Sequence, residues 1–448
     1  MKDNPTQELA DFVVAARLED LPQRARERAK IVLIDTVASA LMGVGDPETA
    51  RIEKLALSVA PSGNSPVVAG KPLGNGAAVL LNGYLINAAT VCDAHVPTMC
   101  HTTPAAFPPS LAIGVERGVS GADFLLAFTL GLETAIRVGL GSNYPAFRAN
   151  GWHSPGVWGP FGSAAASGKL LGLDSHEMCN AFGLAGSQSG GTFACWGSPT
   201  VKFHQSRGSL SGYLAAQLAG AGFESSVNVL TAEDGGLYRA CSDGGKPELA
   251  VDALGTRWEF ENLSLSIHPF ARALASVAIA ILDFAEHDGA GVGAITHVKV
   301  SLGSRAFSMH AQMPWTDPFH ARLSARYVPA VVIADRAAGP DQFTPERLAD
   351  PEVGRYAREN VDVVLDETLP ESGSVIELTM ADGRTVSLEG AAPPGGPEAP
   401  LSLGDVREKF MAAAARLDRE SWGVTALSRL EGIEEIARID GDLVGSVS

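Results

Sequence analysis

The run Ala29-Lys30-Ile31-Val32-Leu33-Ile34-Asp35-Thr36-Val37-Ala38-Ser39-Ala40-Leu41 sets Ala29, Val32, Leu33, Thr36, Val37, Ala40 and Leu41 three and four positions apart. That spacing puts them on one face of a helix, and Gly43 and Gly45 end it. The same reading holds over the first 260 residues, with further helices expected at about 5–18, 74–89, 104–117, 121–138, 158–171, 175–188 and 207–221. Many of these segments are rich in Ala, Gly and Ser, and small side chains let helix axes approach closely. A compact bundle is therefore expected rather than a loose array. The segments are too short and too polar to be membrane dimerisation faces.

The pattern changes after about residue 265. Thr296–Leu302 alternates with period two, as a half-buried strand does, and Val361–Asp366 is a second β-rich stretch. Ser374–Met380 and Thr385–Leu388 flank Ala381-Asp382-Gly383-Arg384, where Asp-Gly signals a hairpin turn. Helices are expected at about 270–286, ahead of the first of these strands, and at 321–337, between the first two. Ala391–Pro400 is a breaker-rich linker, and helical patterns return at Ser402–Leu417 and about 420–437. The expected fold is mainly α: a large all-helical domain from 1–265 and 401–448, the last helices returning to the first bundle, plus a smaller α+β domain at 266–400. No internal repeat is evident.

The chain has 448 residues, 46% of them apolar and 19% charged, which is the composition of a globular protein with a sizeable core. Its net charge of −17 argues against nucleic acid or an anionic membrane as the main partner, since both attract positive charge. A small anionic substrate is still compatible, because one pocket can be basic within an acidic protein. Five cysteines (Cys92, Cys100, Cys179, Cys195, Cys241) at irregular spacing form no disulfide framework, and the N-terminus lacks the plan of a signal peptide. With no uninterrupted apolar run of membrane-spanning length, the expectation is a soluble, cytoplasmic protein.

The common catalytic signatures are missing. Gly289-Ala290-Gly291-Val292-Gly293 precedes a strand, whereas a dinucleotide fingerprint follows one, so it reads as a connector. There is no phosphate-binding P-loop, and no Gly-x-Ser-x-Gly elbow. Cys92, Asp93, His95, Cys100 and His101 are all zinc-ligating types within ten residues, but their spacing fits no zinc pattern, so no metal is expected. The histidines carry more information. His95, His101, His153, His204 and His268 fall at helix ends or in Gly/Pro-rich loops, where imidazoles are available for acid/base work near neutrality. Lys202, Arg207, Arg272, Arg322 and Arg326 could clamp carboxylates, the arginines in bidentate fashion.

Taken in order, several segments resemble the MmgE/PrpD family. These are Leu9-Ala10-Asp11-Phe12, Asp35–Leu41, Asn82–Ala89, the His95-Val96-Pro97-Thr98-Met99-Cys100-His101 loop, and Gly151-Trp152-His153 followed by Gly159–Ala166 and Lys169–Asp174. His204–Gly212, Leu323-Ser324-Ala325-Arg326-Tyr327 and Pro400-Leu401-Ser402 complete the set. The resemblance covers nearly the whole chain. It implies a homodimer, a site between the two domains, and cofactor-free proton chemistry beside a carboxylate, as in 2-methylcitrate dehydratases, cis-aconitate decarboxylases and iminodisuccinate epimerases. By motif it assigns roles to His101, His153, His204 and Tyr327.

There are also departures from the family pattern. Thr90-Val91-Cys92-Asp93-Ala94 stands where dehydratases and decarboxylases resemble Asp-x-Asp-Asp-Thr. The family lysine before His204 falls on Val201, with Lys202 one place later. Ser266-Ile267-His268-Pro269-Phe270-Ala271-Arg272 replaces a Lys-x-x-Pro segment. These losses favour epimerisation of an iminodisuccinate-like acid by two acid/base groups. That set is drawn from His101, His153, His268, Tyr327 and Tyr144, the last nominated by its place ahead of the Gly-x-His motif. Lys202, His204, Arg207, Arg272, Arg326 and His95 are expected to bind substrate. The alternatives are a dehydratase- or decarboxylase-type lyase, and a catalytically silent binding protein of the same fold.

Overall fold

A computed structural model describes residues 4–287, 294–390 and 394–447. The glycine run at 289–293 and the first three residues of the expected linker, 391–393, lie outside the described residues. The chain is mainly α, with 19 α-helices and one four-stranded sheet among the described residues. It divides into two compact units. One comprises Met1–Ala88, Cys92–Leu265 and Leu401–Ser448, and the other Ala89–Val91 and Ser266–Pro400.

The first unit is helical throughout. The run Ala29–Leu41 lies in the helix Gln23–Gly43, with Ala29, Val32, Leu33, Val37 and Ala40 fully buried. The other expected helices form as Pro5–Ala15, Asn75–Ala88, Thr103–Arg117, Gly121–Leu140, Ser154–Leu171, Ser175–Ser187 and Thr200–Gly220. Two of them start earlier than their apolar periodicity suggests. Ser154–Leu171 begins at Ser154 because Pro155 sits in the first turn, where a missing N–H costs no intrahelical bond. Thr200–Gly220 gains a first turn carrying buried Lys202 and His204, polar residues that interrupt the apolar pattern. The helix Leu403–Ala415 packs on Gln23–Gly43. There Lys409 Nζ lies 2.6 Å from Asp35 Oδ1 and 2.9 Å from Ser39 Oγ, all buried.

The second unit builds its sheet from β1 (Ile295–Leu302), β2 (Val361–Leu365), β3 (Ser374–Met380) and β4 (Thr385–Glu389), in the order β2-β1-β3-β4. β1 and β2 are parallel, with Val298 opposite Val361, and the longer connection between them carries helices, as a parallel pairing requires. β3 pairs antiparallel with both β1 and β4, and the Asp382-Gly383 turn closes the β3–β4 hairpin, Gly383 at φ +86°. Alternate residues Ser374, Ile376, Leu378 and Met380 of β3 face the core. The helices Arg272–His287 and Tyr327–Asp335 close that core with Leu274, Val277, Ile281, Val328 and Val331. The expected helix at 321–337 is shorter, because residues 322–326 turn and Arg336 ends it in the left-handed region at φ +52°.

Candidate active site

Two helices of the helical unit, Ser154–Leu171 and Thr200–Gly220, bring two histidines together. His153 is the residue immediately before the first helix, and its side chain makes no capping bond to that helix. Its ring turns instead to His204, on the second helix, with 3.1 Å between the two Nδ1 atoms. Close packing of the helices makes this possible. A Cβ on Gly156 would fall 2.2 Å from the Gly190 carbonyl oxygen and 3.3 Å from the His204 Cβ. Gly191, at φ +132°, occupies backbone that only glycine adopts readily, and a Cβ there would sit 2.9 Å from His204 Nδ1. The His153 amide donates to the Gly191 carbonyl at 2.9 Å, which ties the 188–193 segment to the histidine it shields.

Both rings are only 7% exposed. Burial first, then neighbouring His204, His101 and Arg148, pushes the His153 imidazole down to about 3. Burial and nearby Arg207 lower His204 as well. Both rings are therefore neutral at neutral pH. The short Nδ1–Nδ1 contact then requires one ring to donate and the other to accept, so the tautomer of one fixes that of the other.

His101 belongs to the same neighbourhood, since its charge acts on His153. Its Nδ1 bonds the Asp93 carbonyl oxygen and lies 3.4 Å from Cys92 Sγ. A carbonyl accepts only, so Nδ1 carries the proton and Nε2 is the nitrogen left for chemistry. Asp93 itself is buried, and its carboxylate accepts from the Thr102 amide at 2.7 Å, the Thr102 hydroxyl at 2.8 Å and the Thr103 amide at 3.1 Å. It thereby anchors the start of the helix Thr103–Arg117 and the loop that carries His101. Among the described residues no group of three His, Cys, Asp or Glu side chains could hold a metal ion.

The remaining expected residues divide by unit. His95 is buried, bonds Thr98 Oγ1 through Nδ1 at 2.9 Å, and is pushed down to about 4 mainly by burial. Lys202 is buried with Nζ donating to the Ala88 carbonyl. Arg207 braces the glycine segment: Nη1 donates to Gln188 O at 2.8 Å and Nη2 to Gly190 O at 3.0 Å, where a substrate carboxylate was expected. Tyr144 opens a six-residue helix, Tyr144–Ala149, with its ring on Phe147. In the mixed unit, His268 Nδ1 bonds the Ala338 carbonyl at 2.9 Å, its ring stacks on Phe270, and burial lowers its affinity for protons. Arg272 heads the helix Arg272–His287 and is likewise held down by burial. Arg326 donates to the Val361 carbonyl. Tyr327 is fully buried, donates to Gln342 O at 2.9 Å, and burial drives its hydroxyl far above the usual phenol range.

The structure adds two residues that the sequence reading passed over. The Arg148 guanidinium lies 3.4 Å above the centre of the Phe193 ring, and that ring is 6.1 Å from the His153 ring. No spacing rule links position 148 to 153 or 193; the bridge between Trp152 and Thr192 and the Phe193 amide donating to the Gly151 carbonyl at 2.7 Å make them neighbours.

Two family domains together match most of the chain. The MmgE/PrpD N-terminal domain matches residues 7–250, and the MmgE/PrpD C-terminal domain matches residues 268–423. This chain belongs to the MmgE/PrpD family. Among its curated relatives, a cis-aconitate decarboxylase-like protein, oryM, of Aspergillus oryzae is 28% identical, with 98% of each chain covered. A cis-aconitate decarboxylase of Aspergillus terreus is 26% identical over 97% of this chain and 93% of its own length. The cis-aconitate decarboxylase of Homo sapiens is also 26% identical, over 96% and 92% respectively. These MmgE/PrpD relatives are enzymes of the lyase type, so enzymatic function is the reading they support. None of the described helices is long and apolar enough to cross a membrane.

Proposed function

We propose that this protein is a lyase that releases CO2 from a small unsaturated polycarboxylate of the cis-aconitate kind, using histidines of the helical unit and no cofactor. The observation that carries the reading is the imidazole cluster: His101, poised through Nε2, beside the neutral, proton-sharing His153–His204 pair. The chemistry asks for such a cluster. The bond between a methylene carbon and its carboxylate breaks, CO2 leaves, and the bonding pair becomes a new double bond to the central carbon. The former double-bond pair moves to the carbon beside a remaining carboxylate, and that carbon takes one proton. Protonated His101 can deliver it, its cation steadied by the Asp93 carbonyl on Nδ1. The neutral pair offers an N–H donor to the negative charge that gathers on the conjugated carboxylate. Such preorganised donors are worth about 3–4 kcal/mol each where water is excluded.

Epimerisation, the expectation drawn from the departures in the family motifs, has weaker support. The curated relatives carry the decarboxylase name. The Tyr327 hydroxyl, one candidate for the second base, is engaged with Gln342 and held protonated by burial. Proton NMR in D2O with cis-aconitate, methylcitrate and succinate derivatives separates the readings. Decarboxylation gives a new pair of vinylidene signals and a deuteron on the adjacent methylene. Deuterium entry with loss of chirality and no new product would establish epimerisation instead, and an unchanged spectrum with every acid would leave a binding protein.

A further inference from the structure

Arg148 is a half-buried cation with an unusual set of neighbours. The carbon of its guanidinium lies over the Phe193 ring, 3.4 Å from the ring centre, which places the cation against the face of the aromatic ring. Among the described residues it has no hydrogen-bond acceptor and no carboxylate partner, unlike Arg137, Arg347, Arg407 and Arg429, which all pair with Asp or Glu. Phe193 in turn faces His153, so the cation stands one ring away from the proton-sharing pair. Arg207, the arginine nearest to His204 in sequence, is tied to backbone carbonyls. A stacked, partnerless guanidinium beside neutral imidazoles is what a bidentate carboxylate receptor requires: fixed orientation, positive charge, and donors not already taken.

We propose that Arg148 is the carboxylate-binding residue of this site, its fork oriented by Phe193 so that one carboxylate of a small di- or tricarboxylate is held beside His153. This assignment rests on the reading of the site given under Proposed function. The two can nevertheless fail separately, because binding of a non-reacting acid is measured apart from turnover. The probe is tricarballylate, a saturated tricarboxylate, followed by calorimetry with the full-length protein, its Arg148→Gln, Arg148→Lys and Phe193→Leu variants, and far-UV circular dichroism as a check on folding. Charge-assisted hydrogen bonds of this type are worth about 1.5–3 kcal/mol, so Arg148→Gln is expected to weaken tricarballylate about 10- to 100-fold. Arg148→Lys, which keeps the charge without the fork, falls between. Phe193→Leu weakens binding about threefold or more by freeing the guanidinium.

In turnover assays the Gln variant should raise KM far more than it lowers kcat, a split that a merely structural role would not produce. If tricarballylate binds the wild type and the folded Gln variant within a factor of two, Arg148 is not the receptor, while the lyase reading survives. If Arg148→Gln does not fold, an Arg148→Lys variant that binds like wild type overturns the assignment equally. A wild type that neither binds tricarballylate nor turns over any polycarboxylate removes both proposals.

Discussion

Acid should destabilise the helical unit in a way that can be worked out from two histidines. His95 and His153 are both buried, at 1% and 7% exposure, and burial pushes them down to about 4 and about 3 from an ordinary value of 6.5. In the unfolded chain each binds a proton as the pH falls through 6.5; in the folded chain neither does until pH 4 or below. The unfolded state therefore binds more protons across this window, so stability rises with pH up to about 6.5 and is lost on acidification. Between pH 8 and pH 5 each histidine withdraws about 1.4 kcal/mol for each of the 1.5 pH units below 6.5, or about 2 kcal/mol, and the pair about 4 kcal/mol.

Buried Asp35 and Glu133, both raised by burial, push in the opposite direction. Comparing wild type with a His153→Asn variant cancels their contribution. The assay is urea unfolding followed by circular dichroism at 222 nm, at pH 8 and pH 5. With a slope of about 3 kcal/mol per molar urea, the variant's midpoint should drop between the two pH values by about 0.7 M less than that of the wild type. Equal drops, or a wild type less stable at pH 8 than its carboxylates alone explain, would refute the neutral, buried assignment of His153.

Three further outcomes follow from particular contacts. Lys409→Met strands the buried Asp35 carboxylate and should cost about 3–5 kcal/mol in urea unfolding, with most of it recovered by the Lys409→Met/Asp35→Leu double variant. Gly191→Ala places a methyl group 2.9 Å from His204 Nδ1 in backbone at φ +132°; it should cost about 1–3 kcal/mol and lower kcat at least tenfold. Gly190→Ala, whose methyl group meets nothing closer than Arg207 at 3.9 Å, is the matched control and should keep both within a factor of two. Chelation with EDTA should leave turnover unchanged, as measured by the same assay before and after treatment, because the Asp93 carboxylate is already engaged by Thr102 and Thr103.

Where one face of an element is buried, its sequence was readable. Alternation in Ser374–Met380 gave β3 its bounds, and the three-and-four spacing around Val32 and Val37 gave the long helix. Helix starts were less legible. At Pro155 and at Lys202, a proline and buried polar residues disturb the periodicity while the backbone tolerates them. His101 and His153 were visible as candidates because histidines in glycine- and proline-rich loops are unusual, and His204 because it follows Lys202 in a family-like segment; the fold sets His153 and His204 side by side, with His101 near enough to act on His153. Arg207 and Arg148 show the limit of such reading. A sequence does not reveal whether a guanidinium will spend its donors on a neighbouring turn, as Arg207 does, or keep them on an aromatic shelf, as Arg148 does.

The central claim is that imidazoles of the helical unit move the proton to carbon. Single-turnover incubation with cis-aconitate in D2O, comparing wild type, His101→Gln and His153→Asn at equal occupancy, tests it directly. The wild type should yield the methylidene dicarboxylate with one deuteron, and each variant should form it at least about 100-fold more slowly. Turnover within threefold of wild type in both variants would contradict the claim.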